Sequence, residues 1–216
     1  MLSWMGLVAL SAPVLADIVA EYDFTNYAGN EASAPAAFVD SNVSASVLER
    51  GTGLNASTLA DSFAAKHWSG PGANDYFSFS ITPDAGWVVD LKSIDLGVIT
   101  NVNRPADFFQ LRSSLDNFAT VLGSVPMFAM ATSQTITFGS SLLFGEKVEF
   151  RLTATGLNDN GHFAAVTSAN STPGIVLNGS VSPAAVPEPG SIVLLTLTGV
   201  ATLGAGAYRR RRKPTA

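Results

Sequence analysis

Tyr76-Phe77-Ser78-Phe79-Ser80-Ile81 alternates apolar and polar residues with period two, a pattern that suits a half-buried strand and no helix. Phe77, Phe79 and Ile81 then share one face and the serines the other. Pro83-Asp84-Ala85-Gly86 follows as a turn, because proline presets its own φ and glycine tolerates the left-handed region. Similar short runs, β-branched, aromatic or alternating, recur along the chain. They predict strands over 18–25, 46–50, 76–82, 87–91, 93–99, 108–113, 135–138, 147–154 and 175–181. No helical pattern is long enough for a βαβ crossover, and only 57–68 reads as a helical turn or two. The expected fold is all-β, an antiparallel β-sandwich of jelly-roll type.

Composition narrows the function. The chain has 216 residues, of which only 13% are charged, against roughly 25% in average soluble proteins. Five of its 12 basic residues cluster at Arg209, Arg210, Arg211, Arg212 and Lys213. That leaves seven basic against 17 acidic residues before the cluster, a net charge of −10. Such a body repels phosphate backbones and argues against nucleic acid as a partner. The absence of cysteine removes disulfides, thiolate metal sites and a Cys nucleophile. With only His67 and His162 there is little for a zinc site or a catalytic triad, and no metal or cofactor is expected. A structural calcium held by loop oxygens stays open as an alternative, although no Asp-rich loop of known spacing occurs.

The two ends read as targeting segments. Leu2 to Leu10 is apolar, and Val14-Leu15-Ala16 offers small residues where a signal peptidase reads, so cleavage is expected between Ala16 and Asp17. No basic residue precedes that run. At the other end stands Val186-Pro187-Glu188-Pro189-Gly190-Ser191. An uncharged run from Ile192 to Tyr208 comes next, then the basic cluster. As a helix that run would reach about 25 Å at 1.5 Å per residue, slightly short of a ~30 Å hydrocarbon core. Its leucines and valines favour insertion by only about 0.3–0.6 kcal/mol each, which makes a weak stop-transfer segment. The arginines would stay cytoplasmic and leave the body outside. The expected organisation is a signal peptide over 1–16, a β-sandwich over 17–183 and a linker motif over 184–191. A transmembrane helix over 192–208 and a basic tail over 209–216 complete it.

Pro-Glu-Pro, a short glycine-bearing helix and a terminal basic cluster, in that order, resemble the PEP-CTERM sorting signal. The resemblance spans Val186 to Lys213. It implies a bacterial exosortase, a membrane transpeptidase that reads Pro187, Glu188 and Pro189 and removes the tail. It also implies an exopolysaccharide or biofilm setting, with the product at the cell surface or in the extracellular matrix. A plain single-span anchor is the simpler alternative. Within the body, Phe109 to Phe118 resembles the strand-and-turn element of galactose-binding-like and discoidin-like jelly rolls, and Gly174 to Val181 resembles their last strand. In those folds an Asp-Asn pair often precedes that strand and helps to hold calcium. Thr172-Pro173-Gly174 has no carboxylate there.

Three activities remain open for the body: a structural matrix protein, a carbohydrate-binding module, and a secreted glycan hydrolase. No spacing singles out the carboxylate pair that a hydrolase needs, so no enzyme is expected. For glycan binding the suitable residues are Trp68, Tyr76, Trp87, Asn103, Arg104 and Asp107. The polar loop Asn101 to Asp107 is the preferred place, with Trp68, Asn103, Arg104 and Asp107 as the candidates. Trp87, on an alternating strand, suits the core better. Asn158 to His162 reads as a hairpin turn. The Asn-x-Ser/Thr triplets at Asn42, Asn55, Asn170 and Asn178 arise readily by chance in so Ser/Thr-rich a chain.

Overall fold

A computed structural model describes residues 17–68, 74–101, 108–156 and 162–185. Fifteen strands among them form two antiparallel sheets. The first sheet holds β1 (Asp17–Tyr22), β3 (Phe38–Val39), β6 (Asn55–Ser57), β7 (Ser62–Lys66), β9 (Trp87–Thr100), β12 (Thr132–Phe144), β14 (Phe163–Thr167) and β15 (Ile175–Pro183). The second holds β2 (Ser33–Ala34), β4 (Val43–Ala45), β5 (Leu48–Arg50), β8 (Phe77–Pro83), β10 (Phe108–Ser113), β11 (Gly123–Pro126) and β13 (Val148–Thr155). The hub of the first sheet is β9, which pairs with β15, β14 and β12. The second runs β11-β10-β13-β8-β5-β2, with β4 also on β8.

The expected all-β antiparallel sandwich is what the chain adopts. The alternation of β8 does what its sequence requires: Phe77, Phe79 and Ile81 are buried, and Ser78 faces outward. The inner faces meet through aromatic pairs that cross between the sheets. Tyr22 lies 5.3 Å from Phe79 and Phe63 lies 5.2 Å from Phe77, centroid to centroid. Each fully buried ring of this kind contributes about 2–3 kcal/mol of transfer free energy. The turn after β8 forms as predicted: the Trp87 N–H donates to the Asp84 carbonyl at 3.0 Å and Gly86 has φ +83.

Three differences from the sequence reading have physical causes. The helical turn expected over 57–68 is instead the end of β6 and the whole of β7. Ser-Phe-Ala-Ala-Lys has no local reason to extend, but β7 lies between β14 and β6 with Ser62 to Ala65 all buried, so tertiary pairing overrides propensity. The two strands expected over 87–91 and 93–99 are the single strand β9, because Lys92 merely interrupts the apolar alternation. Edge strands of two to four residues, such as β2, β3 and β11, are too short to show a period.

The hairpin expected over 158–162 lies, except for His162, outside the described residues, as do Ala16, the Pro187-Glu188-Pro189 motif, the run 192–208 and the cluster Arg209 to Lys213. Asp17 is the first residue of β1 and pairs with Gly179 of β15.

Candidate functional site

On the outer face of the second sheet, four strands bring one row of side chains into register. Glu49 of β5 pairs with Ser78 of β8, Ser78 with Arg151 of β13, and Arg151 with Arg112 of β10. The alternation of β13 explains the row, since Val148, Phe150 and Leu152 are buried while Glu149 and Arg151 face out. Over this row lies a groove of about 350 Å³ lined by Ser46, Tyr76, Lys147, Glu149 and Arg151, with Glu49 and the serines of β8 beside them.

Arg151 is the most constrained of these side chains. Its guanidinium carbon sits 4.2 Å from the centre of the Tyr76 ring and 3.8 Å from that of Phe118. Its Nε donates to Glu149 Oε1 at 2.7 Å. Each cation–π contact of this partly exposed kind is worth about 0.5–1 kcal/mol. Nη1 and Nη2 donate to nothing among the described residues. Among the described residues the arginine is therefore fixed in orientation and free at its edge.

The turn that delivers Phe118 is held from several sides. Ser114–Asp116 forms one 3-10 turn, after which Asn117 and Phe118 both take left-handed backbone, with φ 57 and 60. Left-handed φ is uncommon for a bulky residue and costs free energy that the surroundings must offset. The Arg112 Nη1 does so by donating to the Phe118 and Ala119 carbonyls at 3.0 and 2.9 Å, and the Phe118 N–H reaches the Ser113 carbonyl at 2.8 Å. Asp116 accepts from the Thr120 hydroxyl and from the Thr120 and Ala119 N–H groups. The Thr120 hydroxyl first, then those N–H groups, hold the Asp116 carboxyl below its ordinary range. The Ser114 hydroxyl accepts from the Glu149 N–H at 3.0 Å, tying the turn to β13.

The structure redistributes the residues chosen from sequence. Trp68 is a core residue, 1% exposed, and this corrects its assignment to a glycan surface. Its indole N–H donates to the Ala65 carbonyl at 2.8 Å, and its ring meets Phe77 and Phe109 edge-on at 5.0 and 5.8 Å. An aromatic that follows the buried strand β7 fills the interior before it can face solvent. Asn103, Arg104 and Asp107 lie outside the described residues. Trp87, assigned to the core by its strand, stays half-exposed at the start of β9. Of the suitable residues named from sequence, Tyr76 lies in the groove. His67 takes φ 67 and its Nδ1 lies 2.7 Å from Asn55 Nδ2.

Sequence reasoning missed Glu49, Phe118, Lys147, Glu149 and Arg151. The signal was present in Lys147-Val148-Glu149-Phe150-Arg151, where three charges alternate with core residues in a chain otherwise poor in charge. Among the described residues, no His, Cys, Asp and Glu side chains assemble as a metal site.

The fold and this groove define the chain as an antiparallel β-sandwich with a polar, aromatic-flanked cleft on one sheet face. No protein-family model matches the sequence. No curated protein matches it either. Solved structures with distant similarity include a family 29 carbohydrate-binding module complexed with cellulohexaose, at 12% identity and TM-score 0.42, covering 76% of this chain and 92% of that one. A family 29 module from Piromyces equi matches at 10% identity and TM-score 0.39, covering 76% and 90%. The family 32 module of C. perfringens NanJ in complex with galactose matches at 16% identity and TM-score 0.34, covering 64% and 94%. At these identities and TM-scores the likeness carries no argument about a ligand for this chain.

Proposed function

We propose that the chain is an exported bacterial envelope protein whose β-sandwich binds a glycan in the groove over β5, β8 and β13. The observation that carries this reading is Arg151, its guanidinium over the Tyr76 and Phe118 rings, bound at Nε by Glu149, and with no partner for Nη1 or Nη2 among the described residues. Sugar recognition needs aromatic surface beside donors and acceptors that are already oriented, because ordering long side chains on binding lowers affinity. Tyr76, Arg151, Glu149, Lys147 and the groove serines supply that mixture in one place.

Glu49 and Glu149 both line the groove, the residue types a glycoside hydrolase would use. Glu149 is engaged by Arg151 at 2.7 Å, so we read the carboxylates as acceptors for hydroxyl groups. The test is a glycan array followed by calorimetry on the best binder. Tyr76→Ala and Arg151→Ala should each lower affinity about tenfold, roughly 1.4 kcal/mol, with the thermal midpoint lowered by only several degrees, as loss of their cation–π contacts requires. Release of new reducing ends during the titration would favour the hydrolase instead, and no binding across the array would sink the glycan reading.

The export reading rests on the two terminal segments. An intact mass beginning near Asp17 and ending near Pro187 would support processing at both ends. A mass that still includes Arg209 to Lys213 would mean a permanent anchor. Likewise, Glu188→Ala should block release from the membrane if the Pro-Glu-Pro motif is the sorting signal.

A further inference from the structure

The charges in the groove speak to the class of glycan. Arg151 and Lys147 are its cations, and Glu49 and Glu149 its anions, so the lining carries no net charge. Glu149 has one oxygen on Arg151 Nε, and its Oε2 has no partner among the described residues. The free edge of Arg151 therefore lies next to a free carboxylate oxygen, and Glu49 faces Arg151 across Ser78 in the same row. A fork of two N–H donors beside an acceptor matches a pair of adjacent hydroxyls. Each hydroxyl oxygen accepts from one Nη, and one hydroxyl hydrogen is then donated to Glu149. A carboxylate fits the fork but not its neighbour, because it is acceptor-only and brings a like charge against Glu149 and Glu49. The body around the groove, at net charge −10, opposes an acidic chain as well.

We infer that the groove selects a neutral glycan over an acidic one, with Arg151 and Glu149 together reading a vicinal hydroxyl pair; this rests on the glycan-binding reading above. The Arg151 charge is already matched within the protein, so what remains for a ligand is hydrogen bonding of defined direction. Binding of this kind is only weakly screened by salt, whereas capture of a uronate would weaken steeply as salt rises.

The experiment uses the full chain in detergent on an array that carries neutral hexose oligosaccharides beside hexuronate oligosaccharides, read at low and at high salt. The expected result is binding to neutral chains with affinity nearly flat in salt, about tenfold weaker in Arg151→Lys, which keeps the charge and loses the fork. Glu149→Gln keeps an acceptor for Arg151 and removes the like charge, so it should gain hexuronate binding that the parent lacks. Strong, salt-sensitive preference of the parent for hexuronates would overturn the inference and leave glycan binding standing. Absence of binding to either class would remove the reading beneath it.

Discussion

Arg50 shows how much a single side chain contributes to this sandwich. It extends from β5 of one sheet to the other, where its Nε donates to the Ala64 carbonyl at 2.9 Å and its Nη2 to the Gly29 carbonyl at 2.6 Å. Nη1 reaches the Glu31 carbonyl, and the guanidinium lies 3.7 Å from the centre of the Phe63 ring. Burial pushes its pKa down to about 10, partly offset by the Glu31 carboxylate, which itself receives the Ala28 and Gly29 N–H groups. Arg50→Met would remove the guanidinium bonds to three carbonyls, of which that of Gly29 keeps the Ala64 N–H, and should destabilise the domain by about 3 kcal/mol, lowering the thermal midpoint by roughly 6–12 °C. Because a guanidinium already fills this carbonyl cage, a chelator should leave that midpoint unchanged, and a drop on adding EDTA would reveal a structural cation. Tyr22 gives a pH-dependent counterpart. Its buried hydroxyl donates to the Ser46 carbonyl at 2.7 Å, and burial raises its pKa above the ordinary 10.0. The unfolded chain ionises first, so this contribution is complete below pH 10.0 and declines as pH rises toward the folded value. In alkaline denaturation Tyr22→Phe should lose about 1 kcal/mol at neutral pH and show a shallower fall above pH 10.0.

The strands that carry the groove were the ones most open to reading. The alternation in 76–82 and 147–154 marked β8 and β13, and 108–113 marked β10 with its true limits. The charges of β13 were less legible as a site, because partners from other strands determine what Arg151 does. Tyr76 comes from before β8, Phe118 from the turn after β10 and Glu49 from β5, and no local pattern relates them. The resemblance of Phe109–Phe118 to a strand-and-turn element pointed to the right segment without indicating that its last residue stacks on an arginine. The same dependence on neighbours hid β7. The turn after β10 also yields a prediction, since Asp116→Ala removes the acceptor that fixes Ala119 and Thr120. It should lower glycan affinity several-fold by calorimetry while the thermal midpoint stays within a few degrees, because Asp116 is exposed. A more global effect is expected at Gly97 of β9, where an added Cβ would meet the Thr167 carbonyl at 1.9 Å. Backbone cannot yield there as a flexible side chain can, so Gly97→Ala should cost about 3 kcal/mol in chemical denaturation.

The chain closes on itself through β15, which lies between β1 and β9 and so joins its last described strand to its first. Ile175 and Leu177 are fully buried there, and β1 has only β3, two residues long, on its other side. The first sheet is therefore complete only when residues near 180 have been made. A chain ending at Gly174 should lack cooperative unfolding by circular dichroism, and a cooperative transition in that truncation would refute this role for β15. The second sheet supplies the other half of the sandwich, its inner face packed with rings and its outer face given over to the groove. Chemical-shift mapping of the array's tightest neutral binder tests that division of labour between the two faces. Binding in the groove should concentrate the perturbed amides at Ser46 to Glu49, Tyr76 to Ser80, Lys147 to Arg151 and the turn around Phe118. Saturable perturbations confined to the first sheet or to the loop 101–107, with these residues unmoved, would contradict it.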